Sequence, residues 1–355
     1  MLLLGKLEEQ AREQLPRAHY DYFAGGAGDE QTLAENVAAW RRVWISPRVM
    51  VDVSDVDTSC RLLGRRLALP LLLAPMAAQR LLHVDGEVGA ARAAGSAGTV
   101  YCLSTRATAD LAEVAAAMSS SKAASGPLWF QLYVDRDRAR SERVLARAAQ
   151  HGFEAVVLTV DLPVAGRRER ELRHGEFAFP EGIALTSHLG GELERFQAPI
   201  GRYDSTLTWS DVAWTRAAGG LPVIVKGVLC ADDAQHALDA GAAAIVVSNH
   251  GGRQVDGCVP TAVALREVAA AVAGRVPVLV DGGIRDGADV LRALALGADA
   301  VLVGRPYAWG LACGGEAGVR AVLDAFAEDL RRALALAGCP TLADVDARRV
   351  RLVGW

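Results

Sequence analysis

The feature that most constrains the fold of this 355-residue chain is a series of short apolar segments in two alternating types. The four that follow a proline are 70–74, 127–131, 222–226 and 277–281. Proline suits the first residue of a strand, because no ladder donor is needed there. The others are 152–159, 241–248 and 297–304, which begin Gly-x-x-Ala, and 99–104 between the first two proline-led segments. The two types alternate strictly, which indicates one repeated architecture.

Amphipathic helical patterns separate these segments. Apolar residues recur at i, i+3, i+4 and i+7 over 111–118 and again over 265–272. Short, continuous apolar strands between such helices favour parallel strands buried on both faces. Alternation of odd and even strands is what a closed (β/α)8 barrel requires, since alternate strands fill each interior layer. The sequence therefore predicts an α/β fold of the TIM barrel type, with a doubly wound open sheet as the competitor.

The domain organisation follows from where the alternation of strands and helices starts and where it is interrupted. We expect a single domain over 1–355, with N-terminal helices and a cap at 1–66, a barrel at 67–338 and a C-terminal tail at 339–355. The Gly-rich bend 25–28 reads as a helix terminator between a first helix and a second at 32–43. The stretch 167–208 is long, polar and without a strong period. Long loops in compact domains are commonly lids, so we predict a lid after the fourth strand.

Composition excludes several classes of function. The net charge of −4 gives no reason to expect a nucleic-acid partner, and the longest apolar run, 67–78, contains proline and is too short to span a bilayer. The six cysteines show neither Cys-x-x-Cys pairs nor metal-ligand spacing. We therefore expect reduced thiols, no metal site, no membrane association and a cytoplasmic location.

Polar residues stand at the ends of the predicted strands. Gln131, Lys226 and Asp281 occur four residues after their prolines, at the same place in each strand. Only Lys6, Lys122 and Lys226 among the 38 basic residues are lysine, so a lysine at a strand end indicates specific chemistry. In (β/α)8 barrels the carboxyl ends of the strands carry the active site.

Two glycine-arginine loops follow the last two strands. Gly282, Gly283 and Arg285 come after the seventh, and Gly304 and Arg305 come after the eighth. Backbone N–H groups and guanidinium both suit a phosphate dianion. With Gln131, Lys226 and hydroxyl groups across the barrel mouth, the pattern indicates a flat heterocycle carrying a phosphate.

The segment Ser248-Asn-His-Gly-Gly-Arg253 ends the sixth strand. His250 can accept a proton near neutral pH, and Arg253 can bind a carboxylate through two parallel hydrogen bonds. The glycines allow close approach of the backbone to a ligand.

These segments, with Asp281-Gly-Gly-Ile-Arg285, Gly304-Arg-Pro306 and Trp129-Phe-Gln-Leu-Tyr133, resemble the FMN-dependent α-hydroxy-acid oxidase/dehydrogenase family. That family includes glycolate, lactate and hydroxymandelate oxidases and mandelate dehydrogenase. The resemblance implies FMN as the cofactor and oxidation of an (S)-2-hydroxy acid, aromatic or short and aliphatic, with O2 reduced to hydrogen peroxide. It also implies a homotetramer or octamer.

The resemblance assigns a role to each matching position. His250 would be the base, with Asp161 holding its imidazolium and Tyr133 facing the α-oxygen. Arg253 and Arg168, helped by Tyr22, would bind the substrate carboxylate. Arg167 stands beside Arg168, and one of the two is expected to be only a solvated charge. The FMN-contacting residues would be Pro75, Met76, Ala77, Ser104, Gln131, Tyr133, Thr159, Lys226, Ser248, Asp281, Gly282, Gly283, Arg285, Gly304 and Arg305.

Several alternatives remain open at this point. A dehydrogenase could pass the electrons to a quinone or a protein, and an aldolase could use Lys226 as a Schiff-base nucleophile. A non-catalytic flavin- or metabolite-binding barrel is a third possibility. The residues do not choose between hydride transfer and prior carbanion formation.

Two departures from relatives concern the pocket. Arg106 stands where plant glycolate oxidases carry a tryptophan, which suggests a larger or more polar substrate, including one with a second acidic group. The alternative is a solvent-facing arginine in a changed loop. Ala77 matches the oxidases, whereas monooxygenase relatives tend to carry glycine there.

Overall fold

A closed barrel of eight parallel strands forms the centre of the molecule. The computed structural model describes residues 2–120, 126–175, 180–186 and 203–354. In order around the barrel the strands are β4 Leu71–Leu73, β5 Tyr101–Ser104, β6 Leu128–Leu132, β7 Ala155–Thr159, β8 Val223–Val228, β9 Ala244–Val247, β10 Val278–Val280 and β11 Ala300–Val303. Pairing of β11 with β4 closes the barrel. The prediction of a (β/α)8 barrel is confirmed, and the doubly wound open sheet is wrong.

Helices surround the barrel and extend it at both chain ends. They are α1 Leu2–Gln14, α2 Arg17–Ala24, α3 Gln31–Arg41, α4 Gly86–Ser96, α5 Leu111–Ser119, α6 Arg138–Gln150, α7 Glu169–Leu172, α8 Ser210–Gly219, α9 Ala231–Asp239, α10 Thr261–Val272, α11 Gly287–Ala295 and α12 Arg305–Ala337. The last of these contains a kink at Gly314 and Gly315, whose backbone angles are not helical. The patterns at 111–118 and 265–272 correspond to α5 and α10.

Two apolar clusters follow from the alternation of side chains along each strand. Residues such as Leu71, Phe130 and Val225 point outward and pack against the helices. Their neighbours, such as Leu72, Trp129 and Ile224, fill the barrel interior. Successive side chains in a strand point to opposite faces, so burial on both sides requires the continuous apolar runs seen in the sequence.

Two short sheets complete the fold. The hairpin of β2 (Cys60–Leu62) and β3 (Arg65–Leu67) adds Leu62 and Leu67 to the interior cluster, beside the amino-terminal residues of the barrel strands. It thereby closes the end of the barrel opposite the site. β1 (Val43–Ile45) pairs antiparallel with β12 (Val350–Leu352), so the stretch 339–355 contains a strand. This pairing also explains why α3 ends at Arg41, earlier than predicted.

The predicted lid, 167–208, is described only in part. Residues 176–179 and 187–202 of it lie outside the described residues. The described part includes α7 and Tyr203, whose backbone bridges to Asp135 in the loop after β6. No helix among the described residues is both long enough and apolar enough to cross a membrane.

Candidate active site

A cavity of about 440 Å³ lies at the carboxyl ends of the barrel strands. Its walls contain every residue that the sequence assigned to cofactor or substrate except Asp161 and Ser248. Both exceptions contact a residue of the wall, because Ser248 accepts from Lys226 and Asp161 pairs with His250. The structure therefore brings the predicted set together in one place.

The floor of the cavity continues the inward-facing pattern of the strands. Trp129, Ile224 and Leu279 fill the interior, and the residue two positions later in each case is polar. This uppermost inward layer comprises Ala74, Ser104, Gln131, Thr159, Lys226, Ser248, Asp281 and Gly304. The period of two that fills the barrel thus also aims the polar groups upward into the site.

Gln131 connects three neighbouring strands through its side-chain amide. Its Oε1 accepts from the Ser104 hydroxyl at 3.2 Å, and its Nε2 donates to Thr159 Oγ1 at 3.2 Å. The Thr105 backbone N–H also donates to Oε1, at 3.2 Å. These contacts fix the orientation of the amide, so that a planar ligand would meet a set of groups held in place before binding.

Lys226 is held as a charged group. Its Nζ lies 3.0 Å from Asp281 Oδ2 and donates to Ser248 Oγ at 2.6 Å. Burial alone would lower the pKa of Lys226, but Asp281 and Asp161 together raise it above its usual value. An ammonium ion is a poor nucleophile, so this environment argues against the Schiff-base alternative.

Replacing Lys226 with methionine should destabilise the flavin-free protein by about 3–5 kcal/mol, because Asp281 would remain as an unpaired, buried carboxylate. Lys226 and Asp281 side chains are only 4% and 11% exposed. Urea unfolding followed by circular dichroism measures the change. Lys6→Met, at an exposed position of α1, is the control and should change stability by less than about 0.5 kcal/mol. Equal stabilities would show that the pair contributes nothing.

One corner of the cavity is strongly cationic. The guanidinium groups of Arg285 and Arg305 lie there beside the loop Gly282–Gly283 and Gly304. No carboxylate of the described residues pairs with either guanidinium; Arg305 donates instead to the carbonyls of Phe23, Gly25 and Gly251. Burial, with Arg253 and Arg285 nearby, lowers the pKa of Arg305 to about 9. Such a corner is suited to a dianion, which would relieve the repulsion.

Helix α3 shapes the loop at this corner. Trp40 Nε1 donates to the Gly282 carbonyl at 2.8 Å, and a side chain at Gly283 would meet the Asn36 carbonyl oxygen at 1.9 Å. Both glycines have positive φ, 93° and 81°. Only glycine fits here, since the backbone is left-handed and α3 presses directly against it.

His250 lies between Asp161 and Tyr133. Its Nδ1 is 2.8 Å from Asp161 Oδ1, and its Nε2 is 3.1 Å from the Tyr133 hydroxyl. His250 has a φ of 59°, unusual for a residue with a side chain, and two left-handed glycines follow it. Burial lowers the pKa of His250 below its usual value, although Asp161 opposes the shift. The imidazole is therefore neutral at neutral pH and has an anion positioned to stabilise its protonated form.

Asp161 is held as the carboxylate. Burial alone would raise its pKa, but His250 and Lys226 lower it to a net value below the usual one. Its second oxygen, Oδ2, is buried without a hydrogen-bond partner among the described residues. The negative charge is thus directed at the His250 ring.

Two arginines, Arg253 and Arg168, also line the cavity. Arg253 Nη1 is engaged by the backbone carbonyls of Tyr22 and Gly25, at 2.8 and 2.7 Å. Arg253 Nη2 and Arg168 Nη1 both reach Glu171 Oε1, at 3.0 and 3.3 Å. We call Arg253 and Arg168 the carboxylate clamp. Arg167, 77% exposed, is the solvated charge of the neighbouring pair.

The bend at Gly25 ends helix α2, as the sequence predicts, but its backbone has a further role that the sequence does not indicate. The Gly25 carbonyl accepts hydrogen bonds from both Arg253 and Arg305 and so helps to position two arginines of the cavity.

Glu171 and Tyr203 also line the cavity, although the sequence analysis did not single them out. Glu171 stands three residues after Arg168, and this spacing was the signal from which a contact between the two could have been predicted. Tyr203 follows a stretch without periodicity, so no sequence pattern predicted its place in the cavity. Its ring centre lies 5.0 Å from that of Tyr133. Arg106 lines the same side and contacts the Tyr203 hydroxyl at 3.5 Å.

A cationic phosphate corner, a polar floor and a histidine-aspartate pair at the mouth of a (β/α)8 barrel define a flavin-binding oxidoreductase. Residues 11–352 match the model of the FMN-dependent dehydrogenase family. The chain is 45% identical to L-lactate oxidase of Nostoc sp., covering 98% of each chain. It is 47% identical to 4-hydroxymandelate oxidase of Amycolatopsis orientalis, covering 96% of this chain and 95% of that one. A crystal structure of mandelate oxidase with (S)-4-hydroxymandelic acid superposes with a TM-score of 0.89, at 46% identity and 98% coverage of both chains.

The chain belongs to the FMN-dependent dehydrogenase family. FMN is therefore the cofactor, and the two half-buried arginines, Arg285 and Arg305, and the glycine loop are suited to its phosphate. The predicted class of enzyme, an FMN-dependent 2-hydroxy-acid oxidase, is confirmed at the level of the family.

Proposed function

We propose that this protein oxidises an (S)-2-hydroxy acid to the 2-oxo acid and reduces O2 to hydrogen peroxide. The observation that carries the proposal is the lining of one cavity, which combines a neutral, aspartate-paired histidine with two guanidinium groups. A 2-hydroxy acid presents a carboxylate next to the carbon that is oxidised. The clamp and the base suit these two adjacent groups.

FMN, when bound, accepts the two electrons that leave the substrate and passes them to O2. The chain's own residues supply the remaining chemistry. Nε2 of His250 takes a proton from the substrate, and Asp161 stabilises the imidazolium that results. The Tyr133 hydroxyl donates a hydrogen bond to the α-oxygen. Arg253 and Arg168 hold the carboxylate, and Tyr22 shields it from water.

The cofactor would be held by two groups of residues. Lys226, Gln131, Ser104, Thr159 and Ser248 would contact the ring system with Pro75, Met76, Ala77 and Tyr133. The phosphate would be held by Arg285 and Arg305 with the backbone of Gly282, Gly283 and Gly304, while Asp281, which pairs with Lys226, would contact the cofactor from the floor. The fit rests on donor chemistry, since the floor offers fixed amide and hydroxyl groups and the corner offers cations.

The substrate side of the cavity favours an aromatic side chain. Tyr22, Tyr133 and Tyr203 line it, and Leu162 adds an aliphatic wall. Aromatic rings pack well against such surfaces. We therefore place mandelate-like acids first and short aliphatic acids such as lactate and glycolate second. Arg106, on the same side, would accommodate a polar group on the ring.

The test is a turnover screen of the FMN-loaded protein with both enantiomers of mandelate, 4-hydroxymandelate and lactate, and with glycolate. Oxygen uptake and peroxide should appear together, in equal amounts, with the S enantiomers only. Flavin reduction without oxygen uptake would instead support a dehydrogenase with a quinone or protein acceptor. If none of these acids reduced the flavin, the proposal would be wrong.

The pH profile of kcat/KM should reflect the lowered pKa of His250. The base must be neutral, so activity falls as the pH drops through its pKa, and the acidic limb should lie below pH 6.5, the usual value. In Asp161→Asn the limb should move to still lower pH, because Asp161 raises the pKa of His250. The plateau should fall by about 10²-fold, since the imidazolium loses its counter-ion. A limb that moved upward would contradict the pairing.

Assembly and location are part of the same proposal. We propose a homotetramer or octamer in the cytoplasm, with the six cysteines as free thiols. Light scattering coupled to size-exclusion chromatography measures the assembly, and a monomer would overturn this part.

A further inference from the structure

Glu171 occupies the carboxylate clamp. Its Oε1 lies 3.0 Å from Arg253 Nη2 and 3.3 Å from Arg168 Nη1, so that one carboxylate oxygen bridges the two guanidinium groups. The side chain is 25% exposed and lines the cavity. A bridging carboxylate of this kind is the arrangement that the carboxylate of a 2-hydroxy acid would need.

Few hydrogen-bond donors of Arg253 remain for a substrate carboxylate. Nη1 of this arginine is committed to the carbonyls of Tyr22 and Gly25, which leaves Nη2 facing the cavity. Nη2 is the atom that Glu171 engages. A substrate carboxylate that binds Nη2 would therefore lie against the Glu171 carboxylate, and two anions at one site repel each other.

If the Glu171 side chain left the carboxylate clamp, helix α7 would still be held in place. Helix α7 is attached to the N-terminal segment by other side chains, since Arg170 pairs with Glu30 and His174 Nε2 lies 2.8 Å from Asp21 Oδ2. Within the described part of the chain, the side-chain hydrogen bonds of Glu171 go to Arg168 and Arg253 alone. The side chain can thus rotate into the open cavity while the helix stays in place.

We propose that Glu171 is an internal competitor for the carboxylate clamp, which the substrate displaces, and that it sets the affinity for carboxylate ligands. This inference rests on the proposed function, because it requires that the clamp bind a carboxylate. The opposite role is that Glu171 positions the two arginines. The two roles predict opposite changes in affinity when the charge is removed.

The experiment is a flavin-absorbance titration of FMN-loaded wild-type protein and Glu171→Gln with two unreactive ligands. Benzoylformate carries the carboxylate, and benzoylformamide replaces it with a neutral amide. Glu171→Gln should bind benzoylformate about tenfold more tightly than wild type, as expected for removal of one competing ion pair. Its affinity for benzoylformamide should change less than about twofold, because a neutral group does not compete for the same charge.

Glu169→Gln is the matched control. Glu169 lies on the same helix but pairs with Arg167, which is largely in solvent, and not with the clamp. Its Kd for both ligands should equal that of wild type. Glu171→Asp provides a second variant, whose shorter side chain retreats from the arginines, and it should give a gain between those of wild type and Glu171→Gln. Flavin content and thermal unfolding establish that each variant is folded.

Two results would overturn the inference. Unchanged or weaker benzoylformate binding in Glu171→Gln would assign Glu171 a positioning role, and an equal gain for benzoylformamide would show that charge is not the cause. Failure of the proposed function has a different signature. In that case wild-type protein would bind neither ligand and would not be reduced by any 2-hydroxy acid.

Discussion

His250→Asn should lower the rate of flavin reduction by about 10³- to 10⁴-fold while leaving flavin content and benzoylformate affinity within a few-fold of wild type. Asparagine removes the base, yet it tolerates the left-handed backbone at this position, where φ is 59°. The loss should therefore be chemical and not conformational. Anaerobic stopped-flow spectroscopy with saturating substrate measures reduction directly, so that a change in binding does not enter the rate.

The control for this variant is His151→Asn, at an exposed position after α6. It makes the same chemical change far from the cavity and should reduce the flavin at the wild-type rate. A reduction rate of His250→Asn within tenfold of wild type would remove His250 as the base. The non-catalytic flavin-binding barrel predicts a different result, in which no 2-hydroxy acid reduces the flavin of either protein.

The barrel was predictable because one physical constraint acts on every strand. Each strand is buried on both faces, which demands a continuous apolar run, and the same period of two ends in an inward-facing polar residue. Lys226 and Asp281 were recognisable for that reason, and they form an ion pair at the predicted level of the barrel. The pairing of Val43–Ile45 with Val350–Leu352 was not predictable, since each strand has only three residues and the paired residues are 305 to 309 positions apart.

The site was predictable where residues stand on strand ends and less so where loops supply them. His250 and Asp161 follow β9 and β7, and the barrel places them 2.8 Å apart. Glu171 and Tyr203 belong to the segment between β7 and β8, which has no period that would fix side-chain direction. The role of the Gly25 carbonyl was also not predictable, because every residue has a backbone carbonyl and the residue type does not show which one accepts a hydrogen bond.

Arg253→Lys should lower kcat/KM by about 10²- to 10³-fold, with most of the loss in KM. Arg253 serves two purposes with different nitrogens, since Nη1 holds the carbonyls of Tyr22 and Gly25 while Nη2 faces the cavity. An ammonium group is a single point and cannot do both. Arg167→Lys, at a position 77% exposed, makes the same substitution in solvent and should leave kcat/KM unchanged.

This variant should also introduce a new pH dependence. Burial and the neighbouring Arg168 lower the pKa of Arg253, and the same surroundings would lower the pKa of a lysine there from a much lower starting value. As the pH rises through that pKa the clamp loses a charge, so KM of Arg253→Lys should increase at alkaline pH where KM of wild type does not. Steady-state kinetics between neutral and alkaline pH test this, and parallel profiles for the two proteins would show that the Arg253 charge does not bind the substrate.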